Sequence, residues 1–554
     1  MIARVRGNDY TVLDPPALGA WTPSLRVSVV VPAHNGQHKL DLALAALAGQ
    51  TYPEELLEVV VVDNGSSPAL RLPPIRPAAT RLIVCDTPGR ADARNAGLAV
   101  ATGDVVHWLD SDVVADRHEV EAHMRWHHLA PYLVVTSYLR FTTAAPPAPE
   151  AVAGGKDLAE LFEPAEPHEW LVDLVQRTDG LTRAPSRAFS LHVGGATSVN
   201  RRLIDAAGPM DVDLVLGQDT EMGYRLAQAG AVFVPEPLAV GYHLGPSMRM
   251  RDKERIDRVS QALIGDRVPH YRWLRGHPTR QWKVPYLDVV VEAGGYDETR
   301  ATVDAVLAGT VPDVSVLLDG PWDALTPERR APLTDPRLDL TLLRGHYAHD
   351  TRVRLTSGEA ERLAPYRLRL PAGWVPGEDT LARLLDLAVD GDHGLVSVLL
   401  DEAPDGVTTA RLERRSAFAR AALVGGADSE GAVDDLVDEV YGTLWIDGET
   451  LGFLPASEAT PVKGRRMTYR ARLDAEAEIA KLTKEAERLR GQVTKWREEA
   501  GRWRKSAVDL RREVGGLRKE VATLKTSRLR TVMKRISPKR TTPPKPANDQ
   551  QTDL

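Results

Sequence analysis

A short run of strand-forming residues that stops on two carboxylates constrains this chain more than any other feature. Between Asp104 and Asp112 the sequence reads DVVHWLDSD. Val105, Val106, Trp108 and Leu109 predict a buried strand, with Asp110, Ser111 and Asp112 at its C-terminal end, where open α/β sheets place their ligand crevice. Two carboxylates presented there suit Mg2+ or Mn2+, which one or two carboxylates hold while substrate phosphates and water complete the shell. On these residues alone the pair reads equally well as the start of a turn, a common place for Asp after a strand.

The preceding segments supply the rest of a sheet. Arg26 to Asn35 (RVSVVVPAHN) predicts a buried strand stopped by Pro32, Leu40 to Ala48 a helix, and Leu57 to Val62 a second strand closed by the turn cluster Asp63-Asn64-Gly65-Ser66-Ser67. Ile83 to Cys85 predicts a third strand, Ala91 to Ala101 a helix and Val105 to Leu109 a fourth strand. Alternation at this spacing predicts an α/β protein with a parallel, Rossmann-like sheet. No Gly-x-Gly-x-x-Gly follows the first strand, which argues against a dinucleotide cofactor.

Taken in order, VSVVVPAHN, VVVDNGSS, GRADARNAGLAVATGDVVHWLDSD, GGATSVNRRLIDAAGPMDVDLVLGQDTEMGYRLAQAG and GYHLG resemble the motifs of the family 2 inverting glycosyltransferases of GT-A fold, between Val27 and Gly245. The resemblance implies that Pro32, Ala33 and Asn35 lie against the nucleoside and that Asp63 accepts from the nucleobase. It places Arg94 and Asn95 beside the nucleotide, Asp110 at the ribose and Asp112 on a divalent cation, with His243 near the metal or diphosphate. Asp219 takes the place of the catalytic base, with Arg225 on the same following helix; a positioned general base supplies roughly 10²- to 10⁴-fold. His34 stands where the family usually has an aromatic, and Gln218 where it often has Glu. On the residues alone, Asp63 is also a turn former, and Asp219 and Glu221 suit the first turn of a helix through its dipole. The stretch from Thr142 to Leu191 contains a flexible Pro/Ala/Gly segment, AAPPAPEAVAGG, and around Trp170 and Phe189 the family builds its acceptor pocket.

From Trp282 the pattern restarts. PYLDVVVEAGGYDETRATVDAVLAGTVPDVSVLLDGPWDAL parallels the first strand, helix and second strand, with Asp319 against Asp63, and TARLERRSAFARA resembles ATSVNRRLIDAAG. This predicts an internal repeat of the α/β unit. Leu370, Pro371 and Ala372 stand where the first copy has Asp110, Ser111 and Asp112, a set that cannot hold an oxygen-ligated cation. The second copy is therefore expected to be structural, or to bind an acceptor glycan or a partner.

A heptad seam follows. Ala475, Ile479, Leu482, Ala486, Leu489, Val493, Trp496, Ala500, Trp503, Ala507, Leu510, Val514, Leu517, Val521 and Leu524 alternate steps of four and three, about seven heptads and roughly 75 Å of helix. Ile and Val at a with Leu at d favour a parallel homodimer. Glu485, Glu499, Glu513 and Glu520 can face Arg490, Arg504, Arg518 and Lys525 of a partner chain, whereas a single charged helix on the globular body is the alternative. Eight basic residues and no acid lie between Lys525 and Lys545. Such a tail is usually solvated and disordered, or it contacts an anionic membrane surface; no base-reading module accompanies it, so nucleic acid is not expected.

The expected domains are a catalytic GT-A unit at 24–265, a degenerate copy at 282–457, a coiled coil at 470–526 and a basic tail at 527–554. At 554 residues, 43% hydrophobic and with a net charge of −7, the composition is that of a globular protein. The lone Cys85 excludes an internal disulfide framework. MIARVRGNDY has no apolar leader core, and no apolar run nears the roughly 18 residues that span a bilayer. These features predict a cytoplasmic protein, with the tail allowing a peripheral position at the inner face of the plasma membrane. The expected function is metal-dependent, inverting transfer of a sugar from a nucleoside diphosphate, with UDP as the expected carrier, to a glycan or lipid-linked acceptor of a bacterial surface polysaccharide. The alternative is a nucleotide-sugar-binding coiled-coil scaffold that does not turn over.

Overall fold

Valine-rich strands that are apolar on both faces need cover on both faces, and that requirement builds the centre of the first sheet. In the computed structural model, which describes residues 2–183, 185–277, 280–326, 331–358, 364–404, 406–462 and 465–533, two compact units are present, Met1–Val462 and Lys463–Leu554.

In the first unit, β1 (Val27–Ala33) and β2 (Leu57–Asp63) bury every residue except Pro32 and Glu58. They pair in parallel, β2 continues to β3 (Thr80–Val84), and β1 pairs on its other side with β4 (Val105–Leu109). The remaining strands are β5 (Val113–Ala115), β6 (Leu133–Thr142), β7 (Ala165–Pro167), β8 (Ala196–Asn200) and β9 (Val232–Leu244), giving the order β3-β2-β1-β4-β8-β6-β9-β5, with β7 on β6. Pro32 does not stop β1. The β4 ladder ends at Val30–Trp108 while β2 pairing continues to Ala33, so the missing N–H of Pro32 costs no hydrogen bond. Helices α1 (Gln37–Ala48), α2 (Arg90–Val100) and α3 (Glu119–His127) cover the sheet. Gly97 lets α2 approach closely, since a Cβ there would lie 2.3 Å from Val30 Cγ1.

The segment AAPPAPEAVAGG is not a free linker. It forms a helix at Pro149–Ala153, and Val152 packs with Leu42, Ala45 and Phe162 against α1.

The second sheet repeats the first strand by strand. It comprises β10 (Leu287–Glu292), β11 (Val314–Asp319), β12 (Val353–Thr356), β13 (Tyr366–Arg369), β15 (Leu395–Ala403), β16 (Gly406–Arg414) and β17 (Thr443–Asp447), while β14 (Trp374–Pro376) and β18 (Phe453–Pro455) form a separate antiparallel pair. Its order, β12-β11-β10-β13-β16-β15-β17, matches β3-β2-β1-β4-β8-β6-β9, and each adjacent pair keeps its parallel or antiparallel sense. The ladders also correct the alignment by one residue. Val27 faces Val105 and Leu287 faces Tyr366, so Asp110, Ser111 and Asp112 correspond to Pro371, Ala372 and Gly373. A short apolar strand carries no internal marker of register; the hydrogen-bond ladder does.

One buried cation joins the repeats. Arg420, on the helix Arg415–Val424, is 1% exposed and donates to the carbonyls of Gly230 (2.8 Å), Ala231 (2.7 Å), Val5 (3.2 Å) and Gly7. Arg272 and Arg275, between the sheets in sequence, both reach the buried carboxylate of Asp313.

The second unit is one helix, Arg465–Met533, and Ile479, Leu482, Leu489, Val493, Leu510 and Leu517 of the heptad seam are exposed on it. The tail from 534 onward lies outside the described residues. Among the described residues no helix is long and apolar enough to cross a membrane.

Candidate active site

The C-terminal ends of β1, β2 and β4 meet at one edge of the first sheet, and turn chemistry fixes their loops. Asp63 is 3% exposed; Oδ1 accepts from Ser66 N and Oδ2 from Leu70 N, both at 2.9 Å. Burial pushes its carboxyl up, but the hydrogen bonds from Ser66 and Leu70 outweigh this and hold it below the usual carboxylate range. The turn-former reading of Asp63 is thus realised. Asn35 sits at positive φ (52°), receives Ser67 N on its amide oxygen, and donates its own backbone N–H to Ser66 Oγ, tying the β1 loop to the β2 loop. Pro32 and Ala33 form the last two positions of β1, with Ala33 opposite Asp63. His34, in the aromatic position, is held through Nδ1 to Asn64 O at 3.0 Å.

Arg94 on α2 is 3% exposed and donates to Asp110 Oδ1 (2.8 Å) and Gly194 O (2.7 Å). A buried guanidinium paired with a half-exposed carboxylate holds Asp110 in one orientation. Gly194 and Gly195 make room for this pair: a Cβ on Gly194 would lie 2.7 Å from Arg94 Cζ, and one on Gly195 2.9 Å from Asp110 Oδ2. Asn95 does not join them. Its amide makes a two-way bond with the backbone of Met210, both at 2.9 Å, anchoring the loop that leads to Asp219.

Asp112 and His243 come together because β5 pairs with the far end of β9, Val113 opposite His243. His243 Nδ1 donates to Gly245 O at 2.7 Å, which leaves Nε2 facing Asp112 Oδ1 at 3.5 Å. The structure adds a residue that sequence reasoning missed. Lys39 of α1 places Nζ 3.1 Å from Asp112 Oδ2 and 2.8 Å from Leu244 O, across 73 residues of sequence from Asp112. Its only local signal is a lysine in the first turns of an apolar helix.

Asp219 is the second residue of the helix Gln218–Gln228, with its side chain turned back on the N–H of Thr220. Gly217 forces the sharp entry: it has φ +84°, and a Cβ there would lie 2.5 Å from Ile264 Cγ2. The backbone carbonyl of Asp219 accepts from Nδ1 of buried His192 at 2.8 Å, and burial pushes that imidazole down to about 4. Arg225 forms a two-contact pair with Glu221 at 2.6 and 2.8 Å rather than facing the donor edge. Phe189, expected near an acceptor, is 2% exposed and packs on Tyr224 and Tyr271, whereas Trp170 is partly buried.

The family model for glycosyl transferase family 2 matches residues 28–147. The pre-mycofactocin glycosyltransferase of Mycobacterium tuberculosis is 32% identical over 243 residues, covering 42% of this chain and 46% of that protein. The chondroitin synthase of Escherichia coli is 24% identical over 367 residues, covering 60% and 50% respectively. The chain thus spans about half the length of these two relatives. The uncharacterized glycosyltransferase YfnE of Bacillus subtilis is 35% identical over 291 residues, 46% of this chain, and 73% of its length is covered. A family model over the segment that holds Asp63, Asp110 and Asp112, together with a glycosyltransferase 35% identical and covered over 73% of its length, makes this chain a member of glycosyl transferase family 2.

Proposed function

We propose that the first sheet catalyses metal-dependent, inverting transfer of a sugar from a nucleoside diphosphate, UDP being the expected carrier, to a glycan or lipid-linked acceptor in bacterial surface polysaccharide synthesis. The observation that carries this reading is the gathering of Asp63, the Arg94–Asp110 pair and the Asp112–His243 pair at one sheet edge. In this reading Asp63 receives the base, Asp110 the ribose hydroxyls, and the strand ends at Pro32 and Ala33 with the Asn35 turn form the floor beneath the nucleoside. Asp219 takes the proton of the acceptor hydroxyl as that oxygen attacks the anomeric carbon.

A divalent cation fits the donor set. Asp112 Oδ1 and His243 Nε2 face each other at 3.5 Å, and an imidazole beside a carboxylate suits Mn2+ better than Mg2+. When bound there, such an ion would offset the charge that gathers on the departing diphosphate. Lys39 already gives Asp112 one positive neighbour, which favours a second reading in which the ammonium performs part of that task.

Calorimetric titration of UDP, GDP and dTDP, with and without Mn2+, tests both. Metal-dependent binding of one nucleotide, lost in Asp112→Ala, supports the metal reading. Metal-independent binding lost in Lys39→Ala supports the ammonium, nucleotide binding without any transfer leaves the scaffold alternative, and no binding to folded protein overturns both. The exposed heptad seam on Arg465–Met533 supports a parallel homodimer. Sedimentation should show a dimer that becomes a monomer in the double variant Leu489→Asp, Leu510→Asp; an unchanged mass would remove the coiled coil from this reading.

A further inference from the structure

Beneath the donor edge, between the sheet and α3, lies a polar cluster that the transfer reaction does not use. His107 on β4 and Glu119 and His123 on α3 are each 1% exposed. The helical spacing of Glu119, His123 and His127 puts three titratable groups on the face of α3 that a sheet normally meets with apolar side chains. Nε2 of His107 and Nε2 of His123 each lie 3.1 Å from Glu119 Oε1. One nitrogen or oxygen from each of the three residues falls within 4.8 Å of the other two.

The cluster is incompletely satisfied by hydrogen bonds. Neither ring nitrogen of His107 has an aligned hydrogen-bond partner, despite the short distance to Glu119, and Glu119 Oε2 has none at all. A carboxylate taken out of water is costly unless a positive charge faces it, and the groups around Oε1 are the two imidazoles and Ser137 Oγ at 2.6 Å. The three ligand atoms converge within the reach of one ion, and the hydroxyl of Ser137, which now bonds Glu119 Oε1 and meets His123 Nε2, is the contact such an ion would replace. Around His123 the outer contacts are already set: Nδ1 meets Ser198 Oγ at 2.7 Å, which also meets His127 Nε2 at 2.7 Å. A metal-bound His123 would donate Nδ1–H to Ser198, whose own proton then goes to His127, an arrangement that orients a ligand imidazole.

We propose that His107, Glu119 and His123 bind a divalent transition-metal ion of zinc type that ties β4 to α3, at a site distinct from any donor cation on Asp112. Two imidazoles and a carboxylate match zinc and exclude Mg2+ or Ca2+ as the preferred occupant, because those ions take oxygen shells. Zinc bonds of about 2.0–2.2 Å set ligand atoms roughly 3.4 Å apart on a tetrahedral ion, and both nitrogen-to-carboxylate distances are 3.1 Å. Ser137 Oγ, 2.6 Å from both Glu119 Oε1 and His123 Nε2, stands beside the fourth position. Enclosure on all sides makes the ion structural. It would brace the strand that ends in Asp110 and the helix that follows β5, and so the loop carrying both donor-facing carboxylates.

Elemental analysis of the full chain after dialysis in metal-free buffer should find about one zinc per chain. That content should persist in Asp112→Ala and be lost in Glu119→Gln and His107→Gln. Stripping with a strong chelator should lower Tm by several degrees, and Co2+ added to the stripped wild-type protein should give the intense visible bands of a tetrahedral site. If the substituted chains do not fold, the wild-type measurements decide alone. Stripped wild-type protein that is folded by circular dichroism yet takes up neither Zn2+ nor Co2+ overturns the proposal. Metal that follows Asp112 rather than Glu119 overturns it equally.

Discussion

The two sheets of this chain share strand order and strand sense, yet only in the first does the fourth strand run into a pair of carboxylates. Where β4 runs into Asp110-Ser111-Asp112, β13 runs into Pro371-Ala372-Gly373 by ladder register. Where α2 carries buried Arg94 between β3 and β4, the corresponding helix of the second sheet, Leu338–Tyr347, precedes β12, and no described helix lies between β12 and β13. Both copies end their second strand on an aspartate. Asp63 holds its own turn, whereas Asp319 accepts from Gly358 N at 2.7 Å and Thr356 Oγ1 at 3.3 Å on the neighbouring strand. Backbone ladders and apolar burial tolerate many sequences. A donor site needs particular side chains at particular strand ends, so it disappears while the sheet persists.

The largest expected contrast between the copies is catalytic. Asp219→Asn should lower the rate of transfer by roughly 10²- to 10⁴-fold with nucleotide affinity unchanged, while Asp319→Asn should leave initial rates within about twofold. Equal losses from both would mean that the second sheet takes part in chemistry. Next comes the connection between the copies. Arg420→Ala strands four backbone carbonyls buried at the junction, and urea titration should show a loss of about 3 kcal/mol or more. A loss below about 1 kcal/mol would show that the sheets are held together by other contacts.

Acid should act on the first sheet through His192. Its imidazole falls to about 4 in the folded chain from 6.5, so below pH 6.5 the unfolded chain takes up a proton that the folded chain refuses. Stability is therefore complete above pH 6.5 and declines as pH falls toward 4, by on the order of 3 kcal/mol for this group. Thermal melts of wild type and His192→Gln between pH 7 and 4 should converge toward acid; parallel curves would remove His192 as the cause. The smallest effect tests the fit of the donor loop. Gly195→Ala places a methyl 2.9 Å from Asp110 Oδ2, and calorimetry should show nucleotide binding weakened by about tenfold, roughly 1.4 kcal/mol. Undiminished affinity would mean that Asp110 can turn aside without loss.

The strands of both sheets were legible because valine runs between turn residues carry their signal locally. The repeat was legible because it preserves that pattern even where the chemistry has gone. The neighbourhoods of Asp63, Asp110 and Asp112 were legible as positions at strand ends, since acids and turns there leave compact motifs, whereas the contacts of Arg94, Asp219 and His243 depend on segments far away in sequence. The partner of Asn95, the backbone of Met210, was not legible because it lies 115 residues away. The burial of Phe189 was not legible either, because aromatic character does not distinguish a pocket wall from a core.

By itself, then, the sequence determined the alternation of strands and helices, the duplication, the long heptad helix and the placement of carboxylates after strands, because each depends on residues within a turn or two of one another. Tertiary structure alone decided that Lys39 meets Asp112, that His243 turns its free nitrogen to the same carboxylate, that Arg420 spans both copies, and that His107 faces Glu119 and His123. Those contacts arise when sheet register and helix packing bring distant segments within hydrogen-bond reach, a distance that no local pattern encodes.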